Sequence, residues 1–220
     1  LADNVNITAP IKSTIDFGNA PVVGDATATP AVLAANGDTN TNNILTLLGS
    51  SVLSGQVGEL PSTATTGVVN TELKRINAGV TGETVTFQSG VVYAETLDYN
   101  EGQGEVRFNG DGTAANGGFI GTVVLTAASG ATASDAVFAL GDDVNLYTQN
   151  LANDDTDAAK RTTFEGADLA TLRFYGTSTV FGVLGSADAT ATQTFLDIEA
   201  GANGETVTFN NDVYVGGTTL

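Results

Sequence analysis

The chain has 220 residues, 25 Asp and Glu against 7 Lys and Arg, a net charge of −18, and no Cys, His, Met or Trp. The lack of cysteine rules out a disulfide framework and thiol chemistry; the lack of histidine removes the commonest general base and metal ligand, and with it any Ser–His or Cys–His catalytic pair. The sign of the charge opposes nucleic acid, which is bound by cations that displace counterions, and it disfavours anionic lipid on the same ground.

Hydrophobic residues make up 41% of the chain and there are 27 glycines, a mixture that suits many short strands joined by turns. In chain order, Val5–Thr8 and Thr14–Phe17 read as strands, and Gly18–Asn43 is loop-rich. Ile44–Leu48 is an apolar run that ends at a Gly49-Ser50-Ser51 corner, after which Val52–Val57 continues extended. Pro61–Thr66 is a polar connection. The segments 72–75 and 157–161 each have room for one helical turn. Thr84–Phe87 alternates cleanly, which sends Val85 and Phe87 to one face and Thr84 and Thr86 to the other. Gly90–Leu97, Glu105–Phe108, Ala136–Leu140 and Val144–Tyr147 are further strands. Phe119–Leu125 reads as an apolar strand buried on both faces. Asn109–Gly112 and Asn116–Gly118 are turn signals, because Asn and Gly accept positive φ. No run of 18 apolar residues occurs, so no helix spans a bilayer.

The chain repeats itself. INAGVTGETVTF (Ile76–Phe87) returns as IEAGANGETVTF (Ile198–Phe209), with GETVTF identical. Upstream, Leu45–Gly58 aligns without a gap on Leu172–Gly185, and Leu1–Ile7 resembles Leu140–Leu146. The offset between matched blocks shrinks along the unit, so the first copy carries longer intervening segments, rich in Ala, Thr, Gly, Asn and Pro as surface loops are. Two repeat units follow, 1–139 with longer loops and 140–220 incomplete. Val85, Phe87, Val207 and Phe209 are expected to point inward. The fold class is all-β, and a repetitive β-solenoid (parallel β-helix) fits a rung length of roughly 20–30 residues. A duplicated β-sandwich or jelly-roll is the alternative. The chain opens on Leu1 and closes at Leu220 inside the second motif, which reads as a processed chain or a window of a longer one.

The pattern L-x-[LF]-x-G-x-S-x-V-x-G-x-[VL]-G followed by I-x-A-G-x-x-G-x-T-V-T-F resembles the passenger repeats of rickettsial autotransporter surface antigens, the outer membrane protein A/B-like adhesins. It is carried by Leu45–Gly58 with Ile76–Phe87 and by Leu172–Gly185 with Ile198–Phe209. Its serine holds as Ser51 and Ser178; its valine is Val180 in the second copy and shifts to Val52 in the first. The resemblance implies a secreted β-helical passenger on a Gram-negative surface, and it carries over no catalytic residue.

Asp154, Asp155 and Asp157 form the densest acidic cluster, and alternating carboxylates in a loop are candidate calcium ligands; the competing reading is a solvated loop. Asp142-Asp143 is a lesser candidate, matched by Asp3-Asn4 in the first copy. No other cofactor and no catalytic residue is assigned. The expected role is a structural or adhesive segment of a bacterial cell-surface protein, a stiff rod displaying loops. It would meet a host or cell-surface receptor, or other copies of itself, outside the cell, without nucleic acid and without inserting in a membrane. The alternative is a self-assembling subunit of an extracellular filament or S-layer that exchanges edge strands. A polysaccharide-degrading β-helix enzyme ranks below both: it needs two carboxyls at a set separation, and it would lack the tryptophans that commonly stack on sugar rings.

Overall fold

Alternation of apolar and polar residues over four to eight positions, punctuated by glycine, yields strands too short to stand alone. They have to pair. In the computed structural model, which describes residues 13–16, 32–33, 44–54, 56–57, 73–88, 91–110, 118–126, 136–148, 161–187, 194–201 and 204–216, they do so in parallel throughout. The strands are β1 (Ser13–Asp16), β2 (Val32–Leu33), β3 (Ile44–Thr46), β4 (Ser51–Ser54), β5 (Gln56–Val57), β6 (Leu73–Asn77), β7 (Thr84–Gln88), β8 (Val91–Asp98) and β9 (Glu105–Asn109). They continue with β10 (Gly118–Val124), β11 (Val137–Leu140), β12 (Leu146–Tyr147), β13 (Thr162–Glu165), β14 (Thr171–Phe174), β15 (Ser178–Phe181), β16 (Asp197–Glu199) and β17 (Val207–Phe209).

The protein is all-β. The first sheet runs β1-β4-β7-β9-β11-β14-β16. The second runs β13-β10-β8-β5-β2, with β6 joining β8 to β3, and the third is β12-β15-β17. From β6 to β11 the chain alternates between the second sheet and the first; from β11 onward it also visits the third. Among the described residues no strand pair is antiparallel, whereas a sandwich of hairpins would need such pairs. The division between Ala139 and Leu140 falls inside β11, which pairs β9 on one side and β14 on the other.

Parallel pairing in register places like upon like. In the first sheet Val85, Val106, Phe138, Leu172 and Ile198 lie in one inward row. Leu53, Phe87, Phe108, Leu140 and Phe174 form another. These side chains and their counterparts in the second sheet make one apolar cluster. Phe87 stacks on Phe108 at 5.3 Å and 9°, and Phe108 meets Phe138 at 5.2 Å. Val85 and Phe87 are buried as expected. Val207 and Phe209 keep the same phase and pack against the cluster, but only half-buried; among the described residues β17 pairs β15.

Two local expectations change, and one element is new. The residues 73–75 are part of β6 rather than a helical turn; strand pairing to β3 and β8 outweighs the weak local preference. The strand from Phe119 is buried on both faces only at Phe119 and Ile120. Beyond Ile120 the register to β8 shifts, and the strand alternates. The extra residue is in β8, where Ala94 and Glu95 stand opposite Gly121 alone; Gly121 has φ 141°, and a Cβ there would stand 1.9 Å from the Ala94 carbonyl oxygen. A 3-10 turn at Ala167–Leu169, opened by left-handed Gly166, was not legible in the apolar pattern. The expected strand at Val5–Thr8, the Gly18–Asn43 and Pro61–Thr66 connections for the most part, and the helical turn over 157–160 lie outside the described residues.

Tyr99 closes the corner between β8 and β9. Its ring is buried and its Oη donates to the Val137 carbonyl oxygen at 2.8 Å. Burial pushes the phenol well above its ordinary value, because a phenolate cannot be solvated there. A raised native pKa means stability is intact below the unfolded phenol value near pH 10 and is lost as pH climbs toward the native one. The expected loss is about 1.4 kcal/mol per pH unit above pH 10. Urea titrations between pH 9 and 11.5 check it, and Tyr99→Phe should flatten that slope.

Candidate functional site

The identical hexamer does its work at a corner. Gly79 and Gly82 have φ of 82° and 77°, and their counterparts Gly201 and Gly204 have 99° and 88°. All four occupy the left-handed region that glycine enters without steric cost. The turn so formed aims Glu83 back at the preceding corner. There the Ser50 amide donates to Glu83 Oε2 at 2.9 Å and the Ser50 hydroxyl donates to the same oxygen. The Thr84 amide donates to the Ser50 hydroxyl oxygen at 3.1 Å.

The second copy repeats the clasp with its own residues. Thr177, aligned on Ser50, donates through Oγ1 to Glu205 Oε2 at 2.5 Å, and accepts from the Thr206 amide at 3.4 Å. Strand register repeats too. Leu45 faces Ile76 and Leu172 faces Ile198. Ser51 faces Val85 and Ser178 faces Val207. Both serines are buried and donate to a backbone carbonyl, Ser51 to Gly49 at 3.0 Å and Ser178 to Gly141 at 3.3 Å. The sequence repeat is therefore a structural repeat. The copies nevertheless occupy different faces: the first runs from the second sheet to the first, the second from the first sheet to the third.

A second feature lies on the outer face of the first sheet. Arg107, Ala139, Arg173 and Glu199 form an outward row. Arg173 Nη1 reaches Glu105 Oε2 at 3.0 Å and its Nε reaches Glu199 Oε2 at 2.5 Å. Tyr175 Oη donates to Glu105 Oε2 at 2.9 Å, and the Arg107 guanidinium lies 3.7 Å from the centroid of the Tyr175 ring. Ala139, between Arg107 and Arg173 in this row, is fully buried despite its outward position. Strand alternation buries Phe174 and exposes Tyr175, as only one of the two could face inward.

The Arg173 hydrogen bond to Glu199 raises the guanidinium pKa and holds the Glu199 carboxyl below the usual range. Stability from a lowered carboxylate is present above its unfolded value near pH 4.3 and is lost as pH falls through the native one. The Glu199 side chain is 54% exposed, so solvent screening keeps the effect below about 1 kcal/mol. Unfolding titrations from pH 5 to 3 should show a shallower loss in Glu199→Gln than in the parent.

Asp154, Asp155 and Asp157 lie outside the described residues, as do Asp3 and Asn4. Asp142 Oδ1 accepts from the Thr177 amide at 2.9 Å and the Asp143 amide at 3.1 Å, so this carboxylate closes a turn. Among the described residues no three carboxylates converge as a metal site. Arg75 Nη1 meets Asp98 Oδ2 at 3.3 Å, and Arg161 is exposed. Sequence reasoning missed the roles of Glu83, Glu205, Ser50 and Thr177. Their signal was present, since an exposed glutamate inside an identical hexamer calls for a reason beyond core packing. The Tyr175 cluster had none, because Glu105 and Tyr175 meet across three strands. No family model, no curated protein and no solved structure matches the chain.

Proposed function

We propose that the chain is a non-catalytic structural and adhesive segment of a bacterial cell-surface protein, a stiff parallel β-helical rod that displays loops outside the cell. The repeated register and clasp carry this reading. A unit that interlocks with its neighbour through the same Ser/Thr–Glu–Thr contacts in both copies is suited to stacking. Return of the chain to the same sheets, always in parallel, supports winding as rungs, with 1–139 and 140–220 as successive parts of one stack. The outer Arg107–Tyr175–Arg173 surface and the variable connections are where a receptor would be met. Calcium, where bound, would stabilise the loop at Asp154, Asp155 and Asp157.

Gel filtration, negative-stain imaging and limited proteolysis test the reading together. A monomer that resists protease except in its connections is the expected result. Beads coated with it should adhere to host or bacterial cells, and adhesion should fall on Tyr175→Ala. A readily digested chain without adhesion would overturn the proposal. The self-assembling filament is the second reading, and ordered polymers would put it first.

A further inference from the structure

One matched pair changes its chemistry between the two copies of the repeat. In the first copy Thr46 faces Asn77, and Asn77 Nδ2 donates to Thr46 Oγ1 at 3.3 Å, from one strand to the next. The matched residues of the second copy are Arg173 and Glu199, which face each other in the same register. There Arg173 Nε donates to Glu199 Oε2 at 2.5 Å. A guanidinium has further donors, and Arg173 Nη1 turns the other way to reach Glu105 Oε2 at 3.0 Å. Two residues on, Leu48 of the first copy is 50% exposed. Its match is Tyr175, whose Oη donates to the same Glu105 oxygen at 2.9 Å.

These contacts skip a strand. Glu105 is on β9, Arg173 and Tyr175 are on β14 or at its end, and β11 lies between. The backbones so joined are roughly 9.5 Å apart, twice the strand spacing, whereas ladder bonds and cross-strand pairs join adjacent strands. The β11 residue in register between Arg107 and Arg173 is Ala139, so no long side chain stands between them in that row. Glu105 is the fixed end. Arg107 Nε and Nη2 hold its Oε1 at 2.8 and 2.6 Å, so the carboxylate is oriented from its own strand. The boundary between the repeat units falls inside β11. Glu105 and Arg107 belong to the first unit, and Arg173 and Tyr175 to the second.

Resting on the stacked-rung reading, we infer that Glu105, Arg173 and Tyr175 form a latch between the two repeat units, a conformational device that keeps β14 from peeling off β11 by tying it to β9. The ladder holds β14 to β11 through the Thr171 amide on the Ala136 carbonyl oxygen at 3.0 Å and the Tyr175 amide on that of Leu140 at 2.8 Å. A tie that bypasses β11 is stretched whenever those bonds open, so opening there has to break the Glu105 contacts as well. At Thr46 the corresponding side-chain bond runs to the adjacent strand, and it adds to a ladder instead of bridging one.

Native-state amide hydrogen exchange on the full chain tests the latch, because a change on one strand is read on another. Glu105→Gln keeps the size of the side chain and removes its charge. Thr171 and Tyr175 amides should then exchange about threefold faster or more. The Val137 amide, which binds β11 to β9 through the Gly104 carbonyl oxygen at 3.0 Å, should keep its protection. Arg173→Thr with Tyr175→Leu installs the first copy's residues and should speed Thr171 equally; adding Glu105→Gln to that pair should change nothing further. Salt screens part-exposed charges, so it should speed Thr171 exchange more in the parent than in the Arg173→Thr, Tyr175→Leu variant. Protection that falls at Val137 as much as at Thr171, effects that add in the triple variant, an equal response to salt, or an unmoved Thr171 would overturn the latch. Any of these with Thr171 protected in the parent leaves the rod reading standing. A Thr171 amide unprotected in the parent means that β14 is no rung on β11, and the rod reading falls together with the latch.

Discussion

Gly79→Ala should lower the unfolding free energy by about 3–4 kcal/mol, while Gly201→Ala at the matched position should cost about 1–2 kcal/mol. Both glycines have positive φ, so both substitutions incur the left-handed strain of an L-residue, about 1–2 kcal/mol. Only Gly79 adds a collision. The new methyl would stand 2.2 Å from Tyr99 Cδ1, and Tyr99 is buried and anchored to Val137, so it has nowhere to swing. Overpacking of this kind costs a further ~1–3 kcal/mol. Urea denaturation of the two variants beside the parent measures the difference directly. Equal effects would mean that the rung above Gly79 is not held in place.

The legible part of this protein was its periodicity. Val85 and Phe87 were readable as inward because strand alternation admits no other phase, and the ungapped match of Leu45–Gly58 to Leu172–Gly185 reappears as matched strands and matched buried serines. What stayed hidden depended on partners distant in sequence. β6 was misread as a helical turn because Lys74 and Arg75 stand side by side between Leu73 and Ile76, which gives no period of two, and the pairing to β3 and β8 decided it. The bulge lies in β8, where Ala94 and Glu95 oppose the single Gly121 of a strand distant in sequence. Likewise Ala139 is buried although it lies in an outward row, between Arg107 and Arg173 of the neighbouring strands. That two identical hexamers lie on different faces was also invisible, because register with the preceding corner is local and the choice of face depends on how many residues intervene.

Phe108→Ala should destabilise the chain by about 3–5 kcal/mol. Its ring is in contact with Phe87 at 5.3 Å, Phe119 at 6.0 Å and Phe138 at 5.2 Å, so removal opens a void between two sheets and breaks three aromatic contacts, each worth ~0.5–1.5 kcal/mol beyond area. In a parallel in-register stack each inward ring rests on the one before, and the backbone ladder prevents neighbouring strands from collapsing into the gap. Phe209→Ala is the contrast. That ring touches Phe174 at 5.8 Å, edge to face, and is only half-buried, so about 1–2 kcal/mol is expected. Hydrogen exchange locates the damage: protection should fall in β7, β9 and β11 for Phe108→Ala and only in β15 and β17 for Phe209→Ala. Such a split requires each rung to depend on its neighbours more than on the whole. A uniform fall in protection across all three sheets would instead mean that the chain opens as one cooperative body, and the stacked-rung account would have to be given up.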